Sequence, residues 1–173
     1  MTRNTILKHA IFAATLFSGC LNAYALESDR NQPISIEADQ ASLDQKNQVT
    51  VFSGNVIVKQ GTLNMRAAAV RVTQDKSGNQ TMSAQGSPAY FRQQLDNNKG
   101  LAEGWGNRME YVSKDNMVKL IGNAKVQRGG DMAQGEAISY NTRTEVYTVL
   151  GGAATGNKNG RRVHVIIQPN NKK

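Results

Sequence analysis

Val49-Thr50-Val51-Phe52-Ser53-Gly54-Asn55-Val56-Ile57-Val58-Lys59-Gln60-Gly61 is the stretch whose pattern the rest of the chain repeats. It returns 68 residues later over Met117 to Gly129, where Leu120-Ile121-Gly122-Asn123-Ala124 falls on Phe52-Ser53-Gly54-Asn55-Val56. Weaker copies centre on Gly86 and Gly152. Two residues before and after these glycines stand Phe52 and Val56, Ala84 and Pro88, Leu120 and Ala124, Leu150 and Ala154, all apolar or small. A two-residue period is that of a strand whose alternate side chains share a face, and a lone glycine inside it predicts a bend, a bulge or a close backbone approach.

Working outward, the same grammar holds on both sides. Pro33 to Ala38 alternates, with Ile34 and Ile36 on one face, and Asp39 to Asp44 leads through the turn Gln45-Lys46-Asn47 into the reference stretch. Thr62 to Thr73 offers Leu63, Met65, Val70 and Val72 to a buried face, with Ala67-Ala68-Ala69 read as strand. Asp75 to Asn79 is a turn, Thr81 to Phe91 a strand and Gln93 to Gly100 a loop. Met109 and Tyr111 correspond to Ile138 and Tyr140 in a later unit, each pair followed by a polar turn, at Ser113 to Asn116 and Asn141 to Thr144. The strands after those turns are Val118 to Arg128 and Glu145 to Ala154. Gly156 to Gly160 is a loop, and Val163 to Ile167, closed by Pro169, is a terminal edge strand. No ten-residue helical stripe occurs, so the chain predicts an all-β sandwich, jelly roll or solenoid of stacked hairpins. Both end strands lack the devices that blunt an edge, and such edges pair with other chains.

The first 25 residues read as a secretory leader. Arg3 and Lys8 precede an apolar run from Ala10 to Leu21, and Ala23-Tyr24-Ala25 is a small-x-small cleavage site. Phe17-Ser18-Gly19-Cys20 also resembles a lipoprotein cleavage site, which would make Cys20 a lipidated first residue. After ordinary cleavage no cysteine remains, so disulfides and thiolate metal sites are excluded. The chain carries 21 basic and 13 acidic residues, a formal net charge of +8, which loss of Arg3 and Lys8 lowers to +6. The expected organisation is a signal peptide over 1–25, one domain over 26–168 and a basic tail over 169–173. The leader places the positive field outside the cytoplasm, against anionic surfaces or phosphorylated lipid instead of nucleic acid.

The titratable inventory argues against an enzyme. His164, between two valines, is the histidine left after cleavage. The sequence has no Gly-x-Ser-x-Gly elbow, phosphate loop or His-Glu-x-x-His helix, and Asp39 and Asp44 read as turn chemistry. No cofactor or metal is implied. Trp105, between Gly104 and Gly106, suits a ligand anchor or a plug at one end of the core, and the core placement is the expectation. Met65, Met82, Met109, Met117 and Met132 all fall in predicted strands, where soft side chains suit packing or acyl chains.

Gln32-Pro33-Ile34-Ser35-Ile36-Glu37-Ala38-Asp39-Gln40, Ser42-Leu43-Asp44, the Phe52 to Gly61 segment and Leu120 to Ala124 together resemble the lipopolysaccharide-transport protein A, or OstA-like, family over Gln32 to Gln168. The resemblance implies a twisted, open antiparallel β-jelly roll in the periplasm of a Gram-negative bacterium, with an apolar groove for the acyl chains of lipopolysaccharide. It implies no enzymatic activity. Copies would join head to tail, last strand to first, and meet an inner-membrane-anchored partner and an outer-membrane translocon of the same system. The joint would involve Ile34, Ser35, Ile36 and Glu37 on one edge and Val163, Val165, Ile166 and Ile167 on the other. Ile34 and Ile36 match groove-lining positions of the family. Alternation adds Phe52, Val56, Val58, Met82, Tyr90, Met109, Tyr111, Val118, Leu120, Val126, Ile138, Tyr140 and Leu150 to that face. Lys59, Arg66, Arg71, Arg161 and Arg162 are candidates for phosphates or partner surfaces. Two other classes stand beside this reading. One is an envelope scaffold that pairs strands without carrying lipid. The other is a carbohydrate-binding jelly roll, which needs carboxylates or aromatics converging on one face, and alternation supplies neither.

Overall fold

The structure, a computed structural model, describes residues 29, 32–95, 100–144, 146–156, 160 and 162–169. The leader, both cleavage sites, Arg161 and the tail beyond residue 169 lie outside the described residues. The described strands are β1 (Ser35–Glu37), β2 (Gln40–Asp44), β3 (Val49–Gln60), β4 (Leu63–Gln74), β5 (Gln80–Gln94), β6 (Leu101–Val112), β7 (Met117–Arg128), β8 (Asp131–Asn141), β9 (Tyr147–Leu150) and β10 (His164–Ile166). They form one antiparallel sheet in the order β1-β3-β4-β5-β6-β7-β8-β10, with β2 also on β3 and β9 also on β8.

A line of bulges crosses this sheet. Register jumps between Ser53 and Val56, Arg66 and Ala69, Gln85 and Ala89, Trp105 and Arg108, and Ile121 and Ala124. At β3 and β7 the extra residues take left-handed backbone, at Gly54 (φ 78°) with Asn55 (φ 47°) and at Gly122 (φ 76°) with Asn123 (φ 51°). Glycine and asparagine tolerate that conformation best, which is the physical content of the 68-residue repeat.

Each long strand is thereby split in two, and each sheet edge is split to match. On one edge β1 pairs with residues 57–59 and β2 with residues 49–53 of β3. On the other, β10 pairs with residues 132–134 and β9 with residues 137–140 of β8. Val56, Val58, Met65, Ala89 and Ala124 from the first set of halves are nearly solvent-free, and so are Val70, Ala84, Met109, Leu120 and Ile138 from the second. From β1 to β10 the described helical segments are two short 3-10 turns, Ser113–Asp115 and Gly152–Thr155, and Asp29 ahead of β1 is helical. The halves cover one another. The sheet is folded along its bulge line into two walls with one apolar interior, a β-jelly roll.

Two local expectations are corrected. The repeat at Gly152 is not a strand: β9 ends at Leu150 and the glycine opens a 3-10 turn, because the chain crosses closely over Gly135, where the Leu150 carbonyl leaves only 2.6 Å for an added Cβ. The polar run from Gln93 begins as strand, since Gln93 and Gln94 pair with Ala102 and Leu101 through their backbones whatever their side chains. The acidic turn residues behave as expected. Asp44 accepts from the Asn47 N–H (3.0 Å) and amide (2.7 Å), and Asp75 from the N–H groups of Ser77 (2.8 Å) and Asn79 (2.9 Å).

Candidate functional site

The interior is built from cross-strand rows. On the first wall one row runs edge to edge: Ile36 pairs with Val58, Val58 with Met65, Met65 with Phe91, Phe91 with Gly104, Gly104 with Val126, Val126 with Ala133 and Ala133 with Val165. Glycine at 104 has a spatial cause, since the Phe91 ring occupies the place of its missing Cβ. The facing row of the second wall runs from Ala41 and Phe52 through Val70, Ala84, Met109, Leu120 and Ile138 to Val149. A third row, further from the bulges, joins Val72, Met82, Tyr111, Val118, Tyr140 and Tyr147, with the Tyr140 and Tyr147 rings stacked at 4.1 Å.

Of the residues expected on this face, Val56, Val58, Met109, Leu120 and Ile138 form its buried floor. Ile36, Phe52, Met82, Tyr111, Val118, Val126 and Tyr140 share the face and are half-buried. Ile34 precedes β1 and is exposed. Tyr90 and Leu150 are misplaced by simple alternation. Tyr90 follows the bulge between Gln85 and Ala89, which shifts parity by one, so Ala89 and Phe91 point inward and Tyr90 outward. Leu150 pairs with Ala137, the neighbour of inward Ile138, and is therefore also outward. Ala89, Phe91 and Val149 are among the inner residues that alternation missed, and locating the bulge from Gly86 and Pro88 is the signal that recovers Ala89 and Phe91.

The edges carry exposed apolar side chains. On the first wall Ser35–Glu37 and His164–Ile166 are each paired along one side only among the described strands. Ile34, Val163, Val165, Ile166 and Ile167 are all exposed large apolar residues, as are Leu43 on β2 and Val146, Tyr147 and Leu150 at β9. Glu37 is held by Lys59 across β1 and β3 at 3.0 Å. Lys59, Arg66 and Arg71 lie on the outer face, opposite the interior, by the register of Ser35 with Lys59, Arg66 with Tyr90 and Arg71 with Ser83. They are not placed to meet a headgroup in the interior. Arg162 is exposed.

Trp105 is a further correction. It is half-buried on the outer face beside Tyr90, with ring centroids 5.3 Å apart, and the Lys125 ammonium stands 4.7 Å from its ring centroid. Tyr90 donates its hydroxyl to Glu103 at 2.5 Å, and this bond, with burial and the Glu103 charge, raises the phenol above its ordinary range. Two aromatics thus converge on one outer face, contrary to the expectation from alternation. Among the described residues no group of three or more His, Cys, Asp or Glu could hold a metal ion, and no helix is long and apolar enough to cross a membrane.

A family described as the LptA/(LptD N-terminal domain) LPS transport protein matches residues 35–146. The chain belongs to this family. The lipopolysaccharide export system protein LptH of Pseudomonas aeruginosa is 37% identical over 166 residues, covering 94% of each chain. LptA of Escherichia coli K12, named in the same way, is 33% identical over 168 residues, covering 96% of this chain and 87% of that one. The crystal structure of LptH, described as the LptA-homologous periplasmic component of the conserved lipopolysaccharide transport device of P. aeruginosa, superimposes with a TM-score of 0.73 at 35% identity, covering 82% of this chain and 99% of that chain. The folded sheet seen here is thus also that of LptH.

Proposed function

We propose that this chain is a periplasmic carrier in lipopolysaccharide export, holding the acyl chains of its cargo between the two walls while copies joined edge to edge carry it from the inner to the outer membrane. The observation that carries this reading is the apolar row running without interruption from Ile36 on β1 to Val165 on β10. A sealed core has no need to reach both edges. A conduit does, because adding a copy at either edge then prolongs the apolar lining. Each CH₂ kept from water is worth about 0.8 kcal/mol, so a lipid with several acyl chains crosses water only inside such a lining. The two relatives that match along nearly the whole chain are named for export, which favours the carrier over the envelope scaffold.

In this reading Ile36, Phe52, Met82, Tyr111, Val118, Val126 and Tyr140 meet lipid, while Val56, Val58, Met109, Leu120 and Ile138 hold the walls together. Ile34 to Glu37 and Val163 to Ile167 form the head-to-tail joint, one domain spans 26–168, and the same edges meet the inner-membrane-anchored partner and the outer-membrane translocon. The family's inclusion of an LptD N-terminal domain supports a translocon partner of like fold. The protein performs no catalysis, and directional movement is imposed by its partners. The reading is tested with purified protein and lipopolysaccharide in a native-gel binding assay. Val118→Glu, on the inner face, abolishes the complex while Lys119→Glu, one residue away on the outer face, leaves it intact; equal binding by both variants overturns the proposal.

A further inference from the structure

The outer face of the first wall holds a second site that the interior does not use. Cross-strand register sets Tyr90, Trp105, Lys125 and Gln134 in one row over four adjacent strands. Such a row is in part a ladder that ties strands together. A ladder alone does not account for what surrounds it. Trp105, Lys125, Asn107, Asn123 and Gln134 line a shallow depression of about 480 Å³ beside the bulge at Ser87 and Pro88. Among the described residues, the side-chain amides of Asn107, Asn123 and Gln134 take no hydrogen-bond partner, and Lys125 has no carboxylate within 4.0 Å.

An indole rimmed by unspent amides matches a sugar: its ring presents C–H groups to an aromatic surface, and its hydroxyls both donate to and accept from carboxamides. The lining ammonium, Lys125, has no carboxylate within 4.0 Å and stands over the Trp105 ring at 4.7 Å, so an occupant that stacks on the indole must draw it aside, which one negative charge on that sugar does. A single cation suits a monovalent carboxylate better than a phosphate, which gathers several donors. We infer that this depression binds a carboxylate-bearing saccharide on the outside of the molecule. The sheet itself separates Trp105 from the interior, so the occupant is distinct from cargo held between the walls. The site would let a chain of joined copies grip a surrounding acidic glycan while the lipid passes inside.

Trp105 is the chain's single tryptophan, so its emission reports the site directly. The mature protein is titrated with oligomers alternating N-acetylglucosamine and N-acetylmuramic acid, with neutral N-acetylglucosamine oligomers of equal length, and with delipidated lipopolysaccharide oligosaccharide. The expected result is a saturable emission change with the acidic oligomer and about tenfold weaker binding of the neutral one. Lys125→Ala equalises the two, and Gln134→Ala weakens both, while lipopolysaccharide binding between the walls is unchanged in each variant. No saturable change with any saccharide overturns the inference. Preference for the delipidated oligosaccharide also overturns it, by assigning the site to cargo. Loss of lipopolysaccharide binding in the native-gel assay, with saccharide binding retained, contradicts the carrier reading and leaves this one standing.

Discussion

Leu120 sits between Met109 and Ile138 at 2% exposure, whereas Leu43, on an edge strand, is 67% exposed. Leu120→Ala therefore leaves a cavity and costs about 3 kcal/mol, while Leu43→Ala changes monomer stability by less than about 0.5 kcal/mol. Urea unfolding of the two variants at one protein concentration checks the contrast. Asp29 is the buried carboxylate of the described chain, at 5% exposure. Burial alone would raise its pKa, but hydrogen bonds from the Thr62 hydroxyl (2.5 Å), the Thr62 N–H (3.0 Å) and the Gln93 amide (3.1 Å) together hold it below 3.8. A carboxyl depressed on folding contributes stability above its unfolded value of 3.8 and loses it as pH falls through the folded value. Asp29→Asn is accordingly less stable than the parent at neutral pH, and the gap narrows as pH drops below 3.8, measured as thermal midpoints across an acid series. Residue identities at regular strand positions were legible because period and burial agree, as at Val118, Leu120 and Ile138. Tyr90 was not, since the bulge upstream of it inverts every face that follows.

At the scale of the element, the bulges are what convert ten strands into two walls. Gly54→Ala places a side chain in left-handed backbone and against the Asp39 carboxylate, which accepts the Asn55 amide at 3.0 Å. The backbone part alone costs about 1 to 2 kcal/mol. Unfolding of Gly54→Ala should show a larger loss than this, and pairing it with Asp39→Gly, which removes the Asp39 Cβ as well as the carboxylate, should return the steric share; a neutral Gly54→Ala would mean that the bulge is not fixed by its backbone. The Gly-Asn bulges of β3 and β7 stood out in the sequence because they repeat with apolar flanks. The bulge at Gly106-Asn107 has the same residue pair without the apolar flanks, since Arg108 stands two residues on, and the bulge at Ala67-Ala68 has neither; none of these four residues takes left-handed backbone. β9 was overestimated for a related reason: Gly151 and Gly152 fit a bulge as well as they fit the 3-10 turn that forms.

At the scale of the whole molecule, two apolar edges face outward from opposite ends of one folded sheet. Ile167 is 78% exposed beside β10, and in the proposed head-to-tail joint a second copy would add its β1 there. Sedimentation velocity should show the mass of the mature protein rising with concentration and Ile167→Asp remaining monomeric; indistinguishable curves would remove the joint from this edge. The interior's role as a lipid conduit is tested most directly in cells, with a photoreactive residue placed in turn at Val118 and at Lys119. These neighbours share a strand and an environment but face opposite sides of the sheet, inward beside Tyr111 and outward beside Glu110. Lipopolysaccharide adducts from Val118 and none from Lys119 are the predicted result. Adducts from Lys119 with none from Val118 would put the lipid outside the walls and contradict the account.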